Sequence, residues 1–279
     1  MHSIRTLNIV GCGKVGSTLG KLWSSGRVFA LGTIMNRSSE SGLRAVAFMG
    51  SGHAAASVGE LRPADAWLIG TADDDIEITC NALAKAGLFK RGNLVFHCSG
   101  ALPSAILHAA ASAGAITGSA HPIRSFADPD QVEQNFSGTY CGIEGDPSAV
   151  QELGAAMDAI GAIPVPIDAT FKTVYHAAAV FASNYLVTLL DTAQQAYIKA
   201  GIPAETALQL MMPLVRGTVD NVFRLGPTDA LTGPIARGDI GTAVRQYRAV
   251  NAWDERYGAL YKQFGKLTAD IAARRPKKP

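Results

Sequence analysis

The chain has 279 residues, 48% of them apolar and only 17% charged, with a formal net charge of +2. That length suits two domains better than one small core, and the apolar excess implies large buried faces, a subunit interface among them. The near-neutral charge gives no support to nucleic acid or an anionic membrane surface as a partner.

The first element is "LNIV" (residues 7–10), a buried strand that begins almost at once, and no basic-then-apolar leader is expected. It runs straight into "GCGKVG", where Gly11, Gly13 and Gly16 have G-x-G-x-x-G spacing between a strand and a helix. Gly11 permits the tight turn, Gly13 lets a pyrophosphate approach the backbone, and Gly16 allows close helix–strand packing. The helix start adds free N–H donors and a partial positive charge. The loop, with Cys12, Lys14 and Val15, is expected to hold a dinucleotide; a ligand-free turn is the alternative. The following helix carries Val15, Leu19 and Leu22 on one side and ends at Gly26.

"ALGTIM" is a second strand, and it ends in "NRSSE". NAD and FAD sites usually place an acid there; here Asn36 and Arg37 stand in its position, followed by Ser38 and Ser39. Arg37 can pair with a 2′-phosphate and stack on adenine, so NADP(H) is expected in preference to NAD(H), with an ordinary surface arginine as the alternative. A helical patch over 39–49 and a short third strand follow. "AWLIG" and "NLVFHC" are buried strands on either side of the helix "DDDIEITCNALAKAG". Their carboxyl ends bring Thr71, Ala72 and Asp73 to the rest of the cofactor and Cys98, Ser99 and Gly100 to the place where nicotinamide and substrate would meet, with a satisfied turn serine as the alternative for Ser99. The run Asp73–Asp75 reads as helix capping and not as a metal site, and no metal is expected. "AITGSA" and "GTYCGIEG" extend the sheet. The alternation implies a doubly wound parallel sheet with right-handed crossovers. In the loop "SAHPIRSFADP", His121 and Arg124 either contact substrate, Arg124 by gripping a carboxylate, or brace the cleft.

From residue 168 strand signals stop. Residues 168–201 read as one long helix with Asp168 as N-cap and Gly201 as its end, apolar nearly all round and therefore buried. Lys172, His176 and Ser183 share one narrow face, with Asn184 to one side. A lysine at a helix start opposes the macrodipole, and that field together with burial lowers its pKa toward proton-transfer range. Lys172 is thus read as acid/base, or else as a surface lysine. His176 either relays a proton and orients substrate or is a hydrogen-bonded core histidine. The domain boundary is expected between 166 and 167. Further on, Pro213 predicts a kink, Arg237 sits in a loop that either closes on the substrate or merely connects, and Tyr257, Leu260, Tyr261, Phe264 and Leu267 form one side of the last helix, as core or dimer seam. The scattered cysteines (Cys12, Cys80, Cys98, Cys141) offer no zinc or disulfide framework and fit a reducing cytoplasm. No run reaches the ~20 apolar residues of a membrane span, and "RRPKKP" reads as a solvated tail.

On "GCGKVG", "NRS", "HCSGAL", "HPIRSF", "GIEGD", "YHAAAVFASN" and "LTGPIARGD", the chain resembles the 6-phosphogluconate dehydrogenase-like superfamily. That superfamily includes β-hydroxyacid dehydrogenases, ketopantoate reductases, pyrroline-5-carboxylate reductases and prephenate dehydrogenases. Within it the chain is most similar to the family joining a Rossmann-like domain to an all-helical domain of unknown function. The resemblance implies an NAD(P)-dependent oxidoreductase with an interdomain cleft and a homodimer through the C-terminal helices. In β-hydroxyacid dehydrogenases and ketopantoate reductases a helix lysine is the acid/base, with asparagine four residues on; Lys172 matches the lysine, and His176 occupies the asparagine position. "SAHP" resembles prephenate dehydrogenases instead, and the glycine-rich substrate loop of β-hydroxyacid dehydrogenases is missing.

The combined expectation is hydride transfer to or from a C=O or C–OH carbon of a small, carboxylated substrate. Ser99 and Gly100 would lie under the nicotinamide, Lys172 would act as acid/base with His176 beside it, and Ser99, His121, Arg124, Asn184 and Arg237 would contact substrate. An imine reductase of the pyrroline type and a non-catalytic NADP(H) sensor are the alternatives.

Overall fold

A computed structural model describes residues 4–275 and divides the chain into two compact units that meet between Ser183 and Asn184. The expected boundary at 166/167 therefore lies one helix too early: the helix carrying Lys172 packs with the first unit.

The first unit is built on one eight-stranded sheet in the order β3-β2-β1-β4-β5-β6-β7-β8. Its strands are β1 (Thr6–Val10), β2 (Ala30–Met35), β3 (His53–Ala55), β4 (Ala66–Ile69), β5 (Leu94–His97), β6 (Ile116–Pro122), β7 (Tyr140–Gly145) and β8 (Ile163–Pro166). Its helices are α1 (Lys14–Ser25), α2 (Ser39–Met49), α3 (Asp73–Lys85), α4 (His108–Ser112), α5 (Pro129–Gln134), α6 (Pro147–Asp158) and α7 (Lys172–Ala182). The central strands are apolar on both faces, as strands covered by helices on each side must be. Leu7, Ile9, Leu68, Leu94 and Phe96 enter one core, around Trp23, whereas Val10, Trp67, Ile69 and Val95 enter the other. The indole of Trp23 packs edge-on against Phe29 and Phe96 and donates to the Ala156 carbonyl at 2.9 Å, which ties α1 to α6.

Three expectations change here. The sheet is not wholly parallel, because β7 runs antiparallel to β6, pairing His121 with Gly142 and Ser119 with Glu144. The six-residue α5 spans only about 9 Å and cannot return the chain along the length of β6. β8 was not anticipated; its "IPVP" is too short and too rich in proline to read as a strand, which its edge position tolerates. The 168–201 helix is interrupted: Asp168 caps a 3-10 turn (Ala169–Phe171), α7 stops at Ser183 (φ −122°, ψ −70°), and α8 (Asn184–Lys199) starts afresh. Ala169–Lys199 is long and apolar enough by composition to cross a membrane, contrary to the sequence reading, but the break divides it into helices too short to span ~30 Å.

The second unit is helical: α8, α9 (Ala204–Ala230), α10 (Ile240–Trp253) and α11 (Glu255–Ala273). Pro213 leaves α9 helical; the break comes at Gly226 (φ 78°, ψ 161°), just before Pro227. Asp254 caps α11 through the N–H groups of Arg256 and Tyr257. Within this unit Leu189, Ala193, Val250, Trp253, Tyr257 and Phe264 surround an apolar cavity of ≈ 440 Å³. Of the basic tail, Arg275 is not free in solvent: its guanidinium donates to the carbonyls of Thr228 and Leu231. Residues 276–279 lie outside the described residues.

Candidate active site

The sheet order reverses between β1 and β4, and the crevice at their carboxyl ends is where a doubly wound sheet binds its ligand. Gly11 holds φ +84°, and a Cβ there would collide with the Thr71 backbone, so only glycine lets the β1 and β4 loops close on each other. At Gly13, the N-cap of α1, a Cβ would meet nothing within 4 Å: the space above the helix start is open. Two cavities share Gly13, Gly70, Thr71 and Ala72. One, of ≈ 330 Å³, continues past Lys14, Val15 and Gly16 to Asp73, Cys98 and Ser99. The other, of ≈ 480 Å³, reaches Gly11, Cys12, Asn36, Arg37, Ser38 and Arg44. Between them the Thr71 hydroxyl is buried without a partner among the described residues. An open helix start, an unpaired hydroxyl and a basic far end together fit a dinucleotide phosphate.

Several expected contacts are structural. Asn36 accepts from Cys12 N–H and donates to the carbonyls of Cys12 (3.2 Å) and Ser41 (3.1 Å), clamping the glycine loop to α2. Ser38 caps α2 by accepting from Ser41 N–H. Lys14 Nζ donates to the Ala127 carbonyl at 2.7 Å. Arg37 remains exposed at the cavity wall beside Arg44, which sequence reasoning missed and which pairs with Glu40 one helical turn away.

Ser99 does not present a free hydroxyl. Its Oγ donates to Asp73 at 2.8 Å and accepts from the N–H groups of Ala101 and Leu102, and its own N–H donates to His97 Nδ1 at 3.1 Å. The Asp73 carboxylate therefore holds the Ser99 turn and does not cap its own helix, whose N-cap residue, Ala72, makes no side-chain bond. Burial, reinforced by the Lys172 charge, pulls His97 down to about 4, so its ring is neutral.

Lys172 is fully buried. Its ammonium donates to Glu144 Oε1 at 2.8 Å and to the Ser119 hydroxyl, and Glu144 also accepts from Ser104 N–H (2.8 Å) and Oγ (2.7 Å). Burial lowers the Lys172 pKa while the Glu144 bond raises it, and burial is the larger effect. The lysine expected to face substrate instead stitches α7 to β6 and β7 and, through Ser119 and the Ser99 carbonyl (3.4 Å), to the Ser99 turn. Glu144 and Ser119 were missed, although the single acid in "GIEG", an otherwise apolar strand, was a visible signal.

Beyond Ser99, Gly100 lies under two imidazoles. A Cβ there would collide with His176 Nδ1 and approach His121 Nε2 to 2.8 Å. The two rings meet edge to face at 5.4 Å, and Tyr175 Oη lies 3.0 Å from His121 Nδ1. His176 Nδ1 is buried without a partner among the described residues. His121 is pulled down to about 4, first by burial and then by the charges of His176 and Lys172. Arg124 is used elsewhere, on the Asn135 carbonyl and on Thr139 Oγ1 at 3.1 Å. Asn184, the first residue of α8, and Arg237, in the 3-10 turn Ile235–Arg237, belong to the second unit.

The sheet order, the glycine loop at the crevice and the helical continuation define a Rossmann-type fold followed by a C-terminal helical unit. Residues 139–268 match the family model described as a domain of unknown function, DUF2520. Among solved structures, the protein TM1727 from Thermotoga maritima is 26% identical, with a TM-score of 0.75 over 96% of this chain and 100% of that one. BF3122 from Bacteroides fragilis, described as a candidate NADP oxidoreductase, is 20% identical, with a TM-score of 0.78 over 96% and 98%. An imine reductase from Myxococcus stipitatus in complex with NADP+ is 17% identical, with a TM-score of 0.64 over 96% and 94%. The fold is thus the one shared by NADP oxidoreductases and imine reductases, while no curated protein matches the sequence.

Proposed function

We infer that the protein is an NADP(H)-dependent oxidoreductase acting on a C=O/C–OH carbon of a small substrate. The observation that carries this reading is the groove at the β1–β4 crevice, basic at one end and ending at Cys98 and Ser99 at the other, with a threonine hydroxyl between that has no partner among the described residues. Gly13, Thr71 and the start of α1 would hold the pyrophosphate, and Arg37 with Arg44 the 2′-phosphate. Asp73 and Cys98 would flank the nicotinamide. When bound, the reduced cofactor supplies hydride to the substrate carbon.

Lys172 and Glu144 keep the Ser99 turn in place. A proton from Lys172 could reach the site only through Ser119, which makes the lysine a positioning residue in the first instance. Gly100 lets His121 and His176 pack directly over it, and these two rings are proposed to meet the substrate, where water exclusion strengthens each hydrogen bond. Asn184 and Arg237 are proposed to bind the substrate's anionic end. That unit is proposed to pair with a second copy of the chain: α8 and α10 bury no residue, while Val187, Leu214 and Phe223 are largely exposed on a unit this apolar. These features suit a soluble cytoplasmic enzyme.

Imine reduction is the second reading, favoured by the fold shared with the Myxococcus stipitatus enzyme. The test is NADPH oxidation by the purified protein with glyoxylate, pyruvate, 2-oxoglutarate and 1-pyrroline-5-carboxylate. Turnover of an oxo acid supports the first reading and turnover of the cyclic imine alone the second. Tight NADPH binding with no oxidation of any of them would turn the assignment toward a sensor.

A further inference from the structure

The arrangement around His121 carries more than contact with a substrate. Tyr175 Oη lies 3.0 Å from His121 Nδ1, and the same phenol packs over Gly142, on the strand paired with β6, where a Cβ would collide with it. A phenol that keeps its own proton has one to give, and Nδ1 is the ring atom facing it. The imidazole proton is then on Nε2, the atom that overhangs Gly100. Burial, with the neighbouring Cys141 thiol, pushes Tyr175 up to about 12, so its proton is in place at neutral pH. His121 and Tyr175 are both half-buried, close enough to the surface of this unit for a small molecule to reach them.

Resting on the oxidoreductase reading above, we propose that Tyr175 is a positioning residue that locks His121 as the Nε2–H tautomer, so that Nε2 donates to the substrate's carbonyl oxygen and the two residues together deliver the product's proton. As the carbonyl carbon is reduced, its π pair moves to oxygen. The Nε2–H bond breaks as the O–H bond of the alcohol forms, and the phenol proton passes to Nδ1. The ring is left neutral with its tautomer exchanged, and the phenolate takes its proton back from water. A fixed N–H donor suits an acceptor atom, a carbonyl oxygen or an unprotonated imine nitrogen. It disfavours an iminium that arrives already carrying a proton. His176 Nδ1, buried and unpaired over the same glycine, gives the substrate a second polar contact.

The decisive experiment combines ¹⁵N imidazole spectra of the full-length protein bound to NADP+ with the variants Tyr175→Phe and His121→Gln, the latter assigning the resonances. The expected wild-type spectrum has His121 neutral with its proton on Nε2. Tyr175→Phe is expected to move proton population to Nδ1, to leave NADPH affinity unchanged and to lower turnover of an oxo acid about 10²-fold or more. A wild-type proton on Nδ1, a spectrum untouched by Tyr175→Phe, or full turnover in that variant would overturn the proposal. If the wild-type protein reduces none of the oxo acids, the functional reading fails, and the spectra alone still decide the tautomer lock.

Discussion

Gly100 and Arg37 are the two single positions whose replacement is most informative. Two imidazoles overhang Gly100, so Gly100→Ala must push His121 or His176 aside. The expected outcome is a folded protein with near-normal NADPH affinity and turnover reduced at least tenfold, read by steady-state kinetics beside a cofactor titration; unchanged turnover would place the chemistry elsewhere. Arg37 lines the cavity and is exposed, with no hydrogen bond among the described residues, as a residue awaiting an anion is. Arg37→Ala should weaken NADPH about ten- to a hundredfold, the loss of one or two charge-assisted hydrogen bonds, and leave NADH nearly unchanged. The sequence displayed both residues, because their meaning is local: a glycine after a strand end, and an arginine where an acid is customary. It did not display that Ser99 spends its hydroxyl proton on the Asp73 carboxylate or that Asn36 clamps the Cys12 backbone, because these partners lie on other segments.

At the scale of elements, the Lys172–Glu144 pair joins α7 to the sheet. Lys172→Met would leave the Glu144 carboxylate buried without its cation, at a cost of about 3–5 kcal/mol in denaturant unfolding. Lys172→Met combined with Glu144→Gln should recover much of that loss, since the uncompensated charge disappears. A Lys172→Met protein of full stability would contradict the burial described here. Spacing alone placed Lys172 at a helix start on a polar stripe, and that much holds. Its partner lies 28 residues upstream on β7, the strand whose direction the sequence reading also got wrong. The direction was hidden because nothing in the local sequence shows that α5 is only six residues long. The break at Ser183 was equally hidden, because "FASNYL" has no glycine or proline to mark it and the periodicity continues through it.

For the whole molecule, pH stability follows from two neutral buried histidines. His97 and His121 hold pKa values near 4 when folded, while the unfolded chain takes up protons at about 6.5. Between these values the unfolded state binds more protons, so stability falls as the pH is lowered from about 6.5 to about 4 and is regained on return. Urea midpoints measured across that window should show the decline, and His97→Gln should flatten it; a flat wild-type profile would mean that the rings are not buried. Sedimentation should find a dimer, and Phe223→Glu, a charge placed on the exposed face of α9, should shift it toward monomer. The broad architecture was legible because strand runs, the glycine fingerprint and helix caps are short-range signals. The unit boundary was not, because it depends on which neighbours α7 packs against.

The measurement that bears most directly on the whole account is calorimetric titration of the full-length protein with NADPH and with NADH, repeated on Arg37→Ala. The account predicts saturable binding of one NADPH per chain, weaker binding of NADH, and loss of that difference in the variant. If neither nucleotide binds saturably, the crevice at β1 and β4 is not a cofactor site and the proposed chemistry falls with it.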